Sequence, residues 1–181
     1  MARARDHHVS EGSGLPDGWV VTTRLRLVPI GPADRDDLVH GRRQDRWHAQ
    51  FPREDDVDGA TVSPTSGYWC SRYVVLGREA VGTIGFHGPP DEAGEVEVGF
   101  GLVPAVRGQG VATEALQALM DDLDRRHPEG VVVRGRTLPE NAASLRVLAA
   151  CGFTGLRGGD GEGHLVLARP ARPTGTAPAA R

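Results

Sequence analysis

The sequence predicts an α/β protein of the α+β kind, a mixed β-sheet with helices packed on it. Two strand-like runs, "YWCSRYVVLG" and "AVGTIGFHG", flank a tight "GRE" connection, which is a hairpin signal. Further on, "GEVEVGFGLV" leads through a pair of glycines into a long amphipathic stretch and then into "GVVVRGRTL". Hairpins followed by a strand–helix–strand order make a mixed sheet with packed helices. The length of 181 residues, 39% of them hydrophobic and 25% charged, suits one soluble domain with a continuous core.

Element by element, "TRLRLVPI" from Thr23 to Ile30 alternates Leu25 and Leu27 with Arg24 and Arg26, the pattern of a half-buried strand. Pro32 opens a helical stretch, "PADRDDLVHGRRQ", with proline near its first position. The hairpin follows, and then the strand Gly94–Val103, which Pro104 ends. In "VATEALQALMDDLDRR", Ala112, Ala115, Leu116, Leu119, Met120 and Leu123 recur at helical spacing. "GVVVRGRTL" reads as a buried strand, and "PENAASLRVLAACG" as a second amphipathic helix, started by Asn141 and stopped by Gly152. "FTGLRG" and "GHLVLAR" close the sheet. Residues 1–18 are polar and glycine-rich, and residues 170–181 are a Pro/Ala/Thr-rich tail, so both ends are expected to be flexible around a domain spanning 19–169.

Composition excludes several classes. A net charge of −3 gives no reason to expect a nucleic-acid partner. No apolar run approaches the roughly 20 residues of a membrane span. "MARARDHHVSEG" carries positive charge with no apolar segment behind it, so no signal peptide is expected, and the cytoplasm is the expected compartment. Cys70 and Cys151 are read as free buried thiols. The seven histidines, among them His48 and His87, show no metal-binding spacing, so no metal is expected.

All 21 basic residues are arginine, which rules out a P-loop, since that motif ends in Gly-Lys-Ser/Thr. Yet "VRGQGVATEAL" places Gly108 and Gly110 at a helix entrance, behind Arg107. The first N–H groups of a helix have no partner within it and carry the positive end of its dipole, which makes an anion site. Glycines there let a phosphate approach the backbone without meeting a Cβ. A dinucleotide fingerprint needs a third glycine, where this chain has Thr113, and an early βαβ position, where this chain has hairpins. On the glycines alone, a plain helix cap remains open.

In context, "EVGFGLVPAVRGQGVATEAL" followed by "NAASLRVLAACGF" resembles the GNAT superfamily of acyl-CoA-dependent N-acyltransferases. The family's Arg/Gln-x-x-Gly-x-Gly/Ala signature is met by Arg107, Gly110 and Ala112. With the opening "TRLRLVP" strand, the chain is most similar to the ribosomal-protein-alanine N-acetyltransferase-like branch. The similarity runs over residues 22–168 and is specific at 95–116 and 139–153, while 31–67 is matched by position alone. It implies a mostly antiparallel mixed sheet of about six or seven strands, splayed at the cofactor site and flanked by helices. It also implies acetyl-CoA as acyl donor. Leu102 and Val103 would hydrogen-bond the pantetheine arm, and Arg107, Gly108, Gln109, Gly110, Val111, Ala112 and Thr113 would hold the pyrophosphate.

The resemblance further implies an acetyl transfer to a primary amine, either a protein N-terminus or a small molecule, by direct attack in a ternary complex. An ammonium must lose a proton first, and Glu97, on the strand beside the thioester, is the candidate base. Strand alternation puts Glu95, Glu97 and Gly99 on one face, opposite Val96, Val98 and Phe100. The other reading of Glu97 is a solvated surface charge. Many family members carry a tyrosine seven residues after the helix-opening asparagine, where this chain has Leu148. Ser144 would replace it beside the leaving thiolate, or be an ordinary helix serine bonding back to a carbonyl. Asn141 would cap its helix and touch the pantetheine. Trp47 and Phe51 would either stack on the acceptor or pack in the core, and "EDDVD" would attract a cation or form a solvated loop. A non-catalytic acyl-CoA sensor and a transferase for longer acyl groups are the competing functions. A monomer or a homodimer fits either.

Overall fold

The structure, a computed structural model, describes residues 18–172. Apart from Gly18 and residues 170–172, the two segments expected to be flexible lie outside the described residues. The strands are β1 (Val20–Val21), β2 (Leu25–Pro29), β3 (Ser71–Leu76), β4 (Glu79–Phe86), β5 (Glu95–Leu102), β6 (Val132–Thr137), β7 (Gly155–Gly159) and β8 (Leu165–Arg169). They form one sheet in the order β1-β2-β3-β4-β5-β6-β8-β7. Every neighbouring pair is antiparallel except β5 and β6, which are joined through a helix and run parallel. The sheet has eight strands where about six or seven were expected. The two-residue β1 is too short to leave an alternation in the sequence.

Four helices cover the sheet: α1 (Pro32–Val39), α2 (Glu54–Val62), α3 (Val111–Arg126) and α4 (Ala142–Ala150). A short 3-10 turn, Pro104–Val106, separates β5 from the loop before α3. The stripe read on α3 is its buried face, with Ala115, Leu116, Leu119, Met120 and Leu123 each at most 1% exposed. α3 packs on β1, β2, β4 and β5, α4 packs on α3 and β6, and α2 packs on β4 and β5. Gly135 of β6 has no Cβ because Leu148 of α4 rests on it, with Cδ2 only 2.6 Å from where that Cβ would stand.

Two expectations are corrected here. The helix from Pro32 stops at Val39 rather than running on toward Gln44, because Gly41 turns into the left-handed region at φ 65°. And "EDDVD" is not a solvated loop but the start of α2. Glu54, Asp55 and Asp56 fill its first turn, where the helix dipole favours carboxylates. Asp56 is fully buried.

Candidate active site

β5 and β6 are hydrogen-bonded neighbours only from Glu95↔Val132 to Val98↔Gly135, although β5 runs on to Leu102 and β6 to Thr137. Past Val98 the two strands part. On its other edge β5 stays paired with β4, where the His87 N–H donates to the Glu97 carbonyl (3.0 Å) and the Val103 N–H to the Val81 carbonyl (2.8 Å). In an antiparallel ladder these bonds recur at alternate residues, so Phe100 and Leu102 turn their backbone groups away from β4, into the gap. Arg107 caps one of them, its Nε donating to the Leu102 carbonyl at 2.9 Å.

The gap opens into a cleft of about 680 Å³, walled by the end of β5, the N-terminus of α3 and one face of α4. Gly108 and Gly110 stand at φ 73° and 75°, a left-handed conformation that L side chains avoid. Gly110 is also the N-cap of α3. The two readings of these glycines therefore coexist, since the turn requires them and the same turn leaves backbone bare toward the cleft. The first bond of the helix runs from the Glu114 N–H to the Gly110 carbonyl at 3.0 Å, so the N–H groups of Val111, Ala112 and Thr113 precede the ladder. Arg24 stands behind the loop. Its Nε donates to Glu114 Oε2 (2.7 Å) and its Nη1 to the Gln109 carbonyl (3.2 Å), and Nη2 lies 3.7 Å from where a Gly110 Cβ would be. Bare backbone, free helix N–H groups and nearby guanidiniums fit a bound pyrophosphate.

Of the expected cofactor residues, Leu102, Arg107, Gly108, Gly110, Val111, Ala112, Thr113, Asn141 and Ser144 all line this cleft. Two do not. Val103 is 0% exposed and its N–H is committed to β4, so Phe100 takes its place in the register. Gln109 turns its amide to the Ala105 carbonyl (3.1 Å), bracing the loop from outside. Phe100, Gly101, Arg53 and Arg146 also line the cleft and were missed. Arg146 was within reach of periodicity, lying three residues past Ala143 and four before Ala150 on the cleft face of α4.

Asn141 caps α4 as expected, its Oδ1 accepting the Ser144 N–H at 3.1 Å. Trp47 (3% exposed) and Phe51 (1%) are core residues and not an acceptor wall. They pack edge-on with centroids 5.5 Å apart, and Phe51 packs likewise on Tyr73 at 5.9 Å. Arg43 ties down their loop through the carbonyls of Trp47 (2.9 Å) and Phe51 (2.7 Å).

The opposite face of β5 carries a cluster of ionisable side chains. Glu97 Oε1 lies 3.4 Å from His87 Nδ1 and 3.6 Å from Arg136 Nε. The contact with His87 holds the Glu97 carboxyl below its usual range, with Arg136 and Arg134 adding to it and partial burial opposing it. Glu95, by contrast, is taken up by Arg157 (3.2 Å) and Arg134 (3.4 Å). Two glycines follow Glu97 on this face. His87 lies over Gly99, its Nε2 2.7 Å from where a Cβ would stand, and the Arg53 guanidinium lies over Gly101. Arg53 is itself held by Asp56, through Nε (3.0 Å) and Nη2 (2.9 Å), and Thr83 Oγ1 donates to the same carboxylate at 2.6 Å.

The one candidate metal group among the described residues is Asp160, Glu162 and His164, whose ligating atoms lie within 4.8 Å of one another. Arg136 pairs with both of its carboxylates, 3.0 Å from Asp160 and 3.4 Å from Glu162. Cys70 and Cys151 are free and buried, and burial pushes the Cys151 thiol up to about 11. Among the described residues no helix is long and apolar enough to cross a membrane.

A family model described as "Acetyltransferase (GNAT) domain" matches residues 24–154. A structure from Bordetella pertussis assigned to the GnaT acetyltransferase family is 26% identical, with a TM-score of 0.60 over 83% of this chain and 98% of that one. RimL, a ribosomal L7/L12 α-N-protein acetyltransferase, shares the fold at 22% identity and a TM-score of 0.60, over 91% of this chain and 98% of that one. The microcin C7 self-immunity acetyltransferase MccE, solved with acetyl-CoA and AMP, does so at 14% and 0.54, over 82% of this chain and 93% of that one. No curated protein sequence matches the chain.

Proposed function

The chain belongs to the acetyltransferase (GNAT) domain family and is an acyltransferase, and from that premise we propose that it moves the acetyl group of acetyl-CoA to a primary amine, on a protein N-terminus or a small molecule, by direct attack in a ternary complex. The observation that carries this is the parting of β5 from β6 after Val98, at the head of a cleft that ends on the N-terminus of α3. A parted strand edge offers backbone groups to an amide-bearing arm, and a helix N-terminus offers N–H groups to phosphates. Both ends of acetyl-CoA are thereby met. MccE, which shares the fold, was solved holding acetyl-CoA.

In this reading Phe100 and Leu102 bind the pantetheine arm, and the backbone of Gly108 to Thr113 holds the pyrophosphate with Arg107 and Arg24 close by. Asn141 and Ser144 lie along the arm from the α4 side, and the Ser144 hydroxyl faces the leaving thiolate. The acceptor amine comes from the other face of β5, where Glu97 belongs to the apparatus that deprotonates it. The enzyme is cytoplasmic, as a monomer or a homodimer, in keeping with two free buried thiols.

The test is a screen of amines, amino acids and N-terminal peptides with acetyl-CoA and longer acyl-CoAs, reading released thiol. Release with one acceptor class, fastest with acetyl-CoA, is the expected result. Binding of acetyl-CoA without release for any acceptor would make the protein a sensor.

A further inference from the structure

Resting on the cofactor reading above, we propose that Arg24, held by Glu114 and Thr22, is a positioning residue for the pyrophosphate: it locks the Gln109–Gly110 peptide so that the Gly110 N–H is presented to a phosphate oxygen. Arg24 comes just before β2, and its Nη1 donates to the Gln109 carbonyl at 3.2 Å. In a trans peptide the C=O and the following N–H point in opposite directions. With the Gln109 carbonyl drawn to Arg24, the Gly110 N–H points away from it. Gly110 lines the cleft, and no group among the described residues accepts its N–H. That donor joins those of Val111, Ala112 and Thr113 at the start of α3.

The lock is needed because the residue is glycine. Gly110 stands at φ 75°, and glycine populates both signs of φ with little penalty, so this peptide plane is free to turn over. Turned over, it would aim a carbonyl dipole at the phosphates and repel them.

Arg24 is itself held. Its Nε and Nη2 lie 2.7 Å and 2.5 Å from Glu114 Oε2, and the Thr22 hydroxyl donates to Oε1 at 2.5 Å. Thr22 and Arg24 keep the Glu114 carboxyl below its usual range. The Glu114 N–H meanwhile donates to the Gly110 carbonyl at 3.0 Å. The carbonyls of Gln109 and Gly110 are therefore both tied to Glu114, one through Arg24 and one directly.

Charge separates this role from plain attraction. Arg24 and Glu114 form a pair with no net charge, outside the residues that line the cleft, whereas Arg107 and Arg146 line it. An ion pair this exposed adds little stability by itself. If Arg24 served only as a positive charge, the nearby Glu114 carboxylate would oppose cofactor binding, and removing it would help. If Arg24 serves by holding a carbonyl, removing that carboxylate loosens the guanidinium and hurts. The two roles predict opposite signs.

The test is the affinity of full-chain variants for acetyl-CoA and for S-acetylpantetheine, which lacks the pyrophosphate, by calorimetric titration. Arg24→Leu is expected to weaken acetyl-CoA binding about tenfold, the scale of one hydrogen bond to a charged group, and to leave S-acetylpantetheine unchanged. Glu114→Gln keeps the guanidinium but gives it an uncharged partner, and should weaken acetyl-CoA binding about threefold. The double variant should cost little more than Arg24→Leu alone, since residues in one chain of contacts are not additive. The Gly110 amide proton should shift when acetyl-CoA binds the wild type, and shift less in Arg24→Leu. Unchanged or tighter acetyl-CoA binding in Glu114→Gln would overturn the proposal and leave Arg24 a counter-charge. Undiminished binding in Arg24→Leu, or equal losses for both ligands, would also overturn it and reduce the pair to a contact of the fold. The cofactor reading survives each of these results. Failure of the wild type to bind acetyl-CoA would overturn both.

Discussion

The Arg53 guanidinium occupies the space that a side chain at Gly101 would fill. Glycine at that position is therefore a steric requirement of α2, and the requirement originates 48 residues upstream of it in the sequence. Arg53 cannot simply swing aside, because it neutralises Asp56, which is fully buried. Gly101→Ala should displace it and cost about 1–3 kcal/mol, the range for leaving a buried polar partner short of a bond. Arg53→Ala should cost more, about 3–5 kcal/mol, because it leaves a buried charge with Thr83 and backbone N–H alone. The decisive measurement is the pair of changes together. With Arg53 already removed, Gly101→Ala should add less than about 1 kcal/mol in urea unfolding, and full additivity would disprove the steric coupling.

A second prediction concerns the phosphate loop. Acetyl-CoA should raise the melting temperature, as a ligand of the native state does. Gly110→Asp puts a carboxylate where the pyrophosphate would lie, at a left-handed position that Asp tolerates better than most residues. Its Cβ would meet no atom closer than Arg24 Nη2 at 3.7 Å, so the variant should stay folded. The acetyl-CoA shift should vanish, and an undiminished shift would remove the phosphate from this loop.

Where the sequence was legible, local chemistry and tertiary structure agreed. The β5–loop–α3 segment announces itself because proline, two glycines and an apolar helical stripe are each demanded locally. Asn141 was readable as a cap for the same reason. α2 was not readable. Its fully buried positions are only Asp56 and Ala60, Gly59 interrupts it, and it is held through Asp56 by Arg53 and by Thr83, 27 positions further on in sequence. The same limit left Trp47 and Phe51 open between acceptor and core, since an aromatic pair has one composition whether it faces a ligand or Tyr73. Glu97 was found through the family resemblance and its face through strand alternation, but its partner His87 belongs to the neighbouring strand's end, and register is invisible in a single strand.

For Glu97 the expected effect is both kinetic and pH-dependent. Glu97→Gln should keep acetyl-CoA affinity and lower turnover on the order of 10²-fold, the low end for loss of a general base, because the amide cannot take up a proton. Its carboxyl is held below the usual range in the fold, chiefly by His87. The ionised form therefore stabilises the native state fully above the unfolded value of about 4.3, and that contribution is lost as pH falls through the lowered folded value. Wild type should be more stable than Glu97→Gln at pH 7, and the difference should close on acidification below about pH 4. A difference independent of pH, measured by urea unfolding, would mean that Glu97 is not ion-paired.

Ser144 faces a site without the family's tyrosine. The residue at that position, Leu148, is 1% exposed and fills the hollow over Gly135, so it has neither the chemistry nor the access to assist a leaving group. Ser144 lines the cleft, and its backbone N–H is fixed by Asn141 Oδ1 at 3.1 Å, which pins the first turn of α4. A thiolate with a pKa near 8.5 is already a fair leaving group, so full proton donation matters less than it would for an alkoxide. A hydroxyl beside the sulphur acts mainly on the charge that develops as the C–S bond breaks. Ser144→Ala should therefore cost about tenfold in turnover, or ~1.4 kcal/mol in the transition state, with acetyl-CoA binding nearly unchanged. Asn141→Ala separates position from chemistry: it should lower stability by about 1 kcal/mol through the lost cap, which Ser144→Ala leaves in place. Turnover of Ser144→Ala within about threefold of wild type would reduce that hydroxyl to a helix side chain bonding back to a carbonyl, with solvent protonating the thiolate.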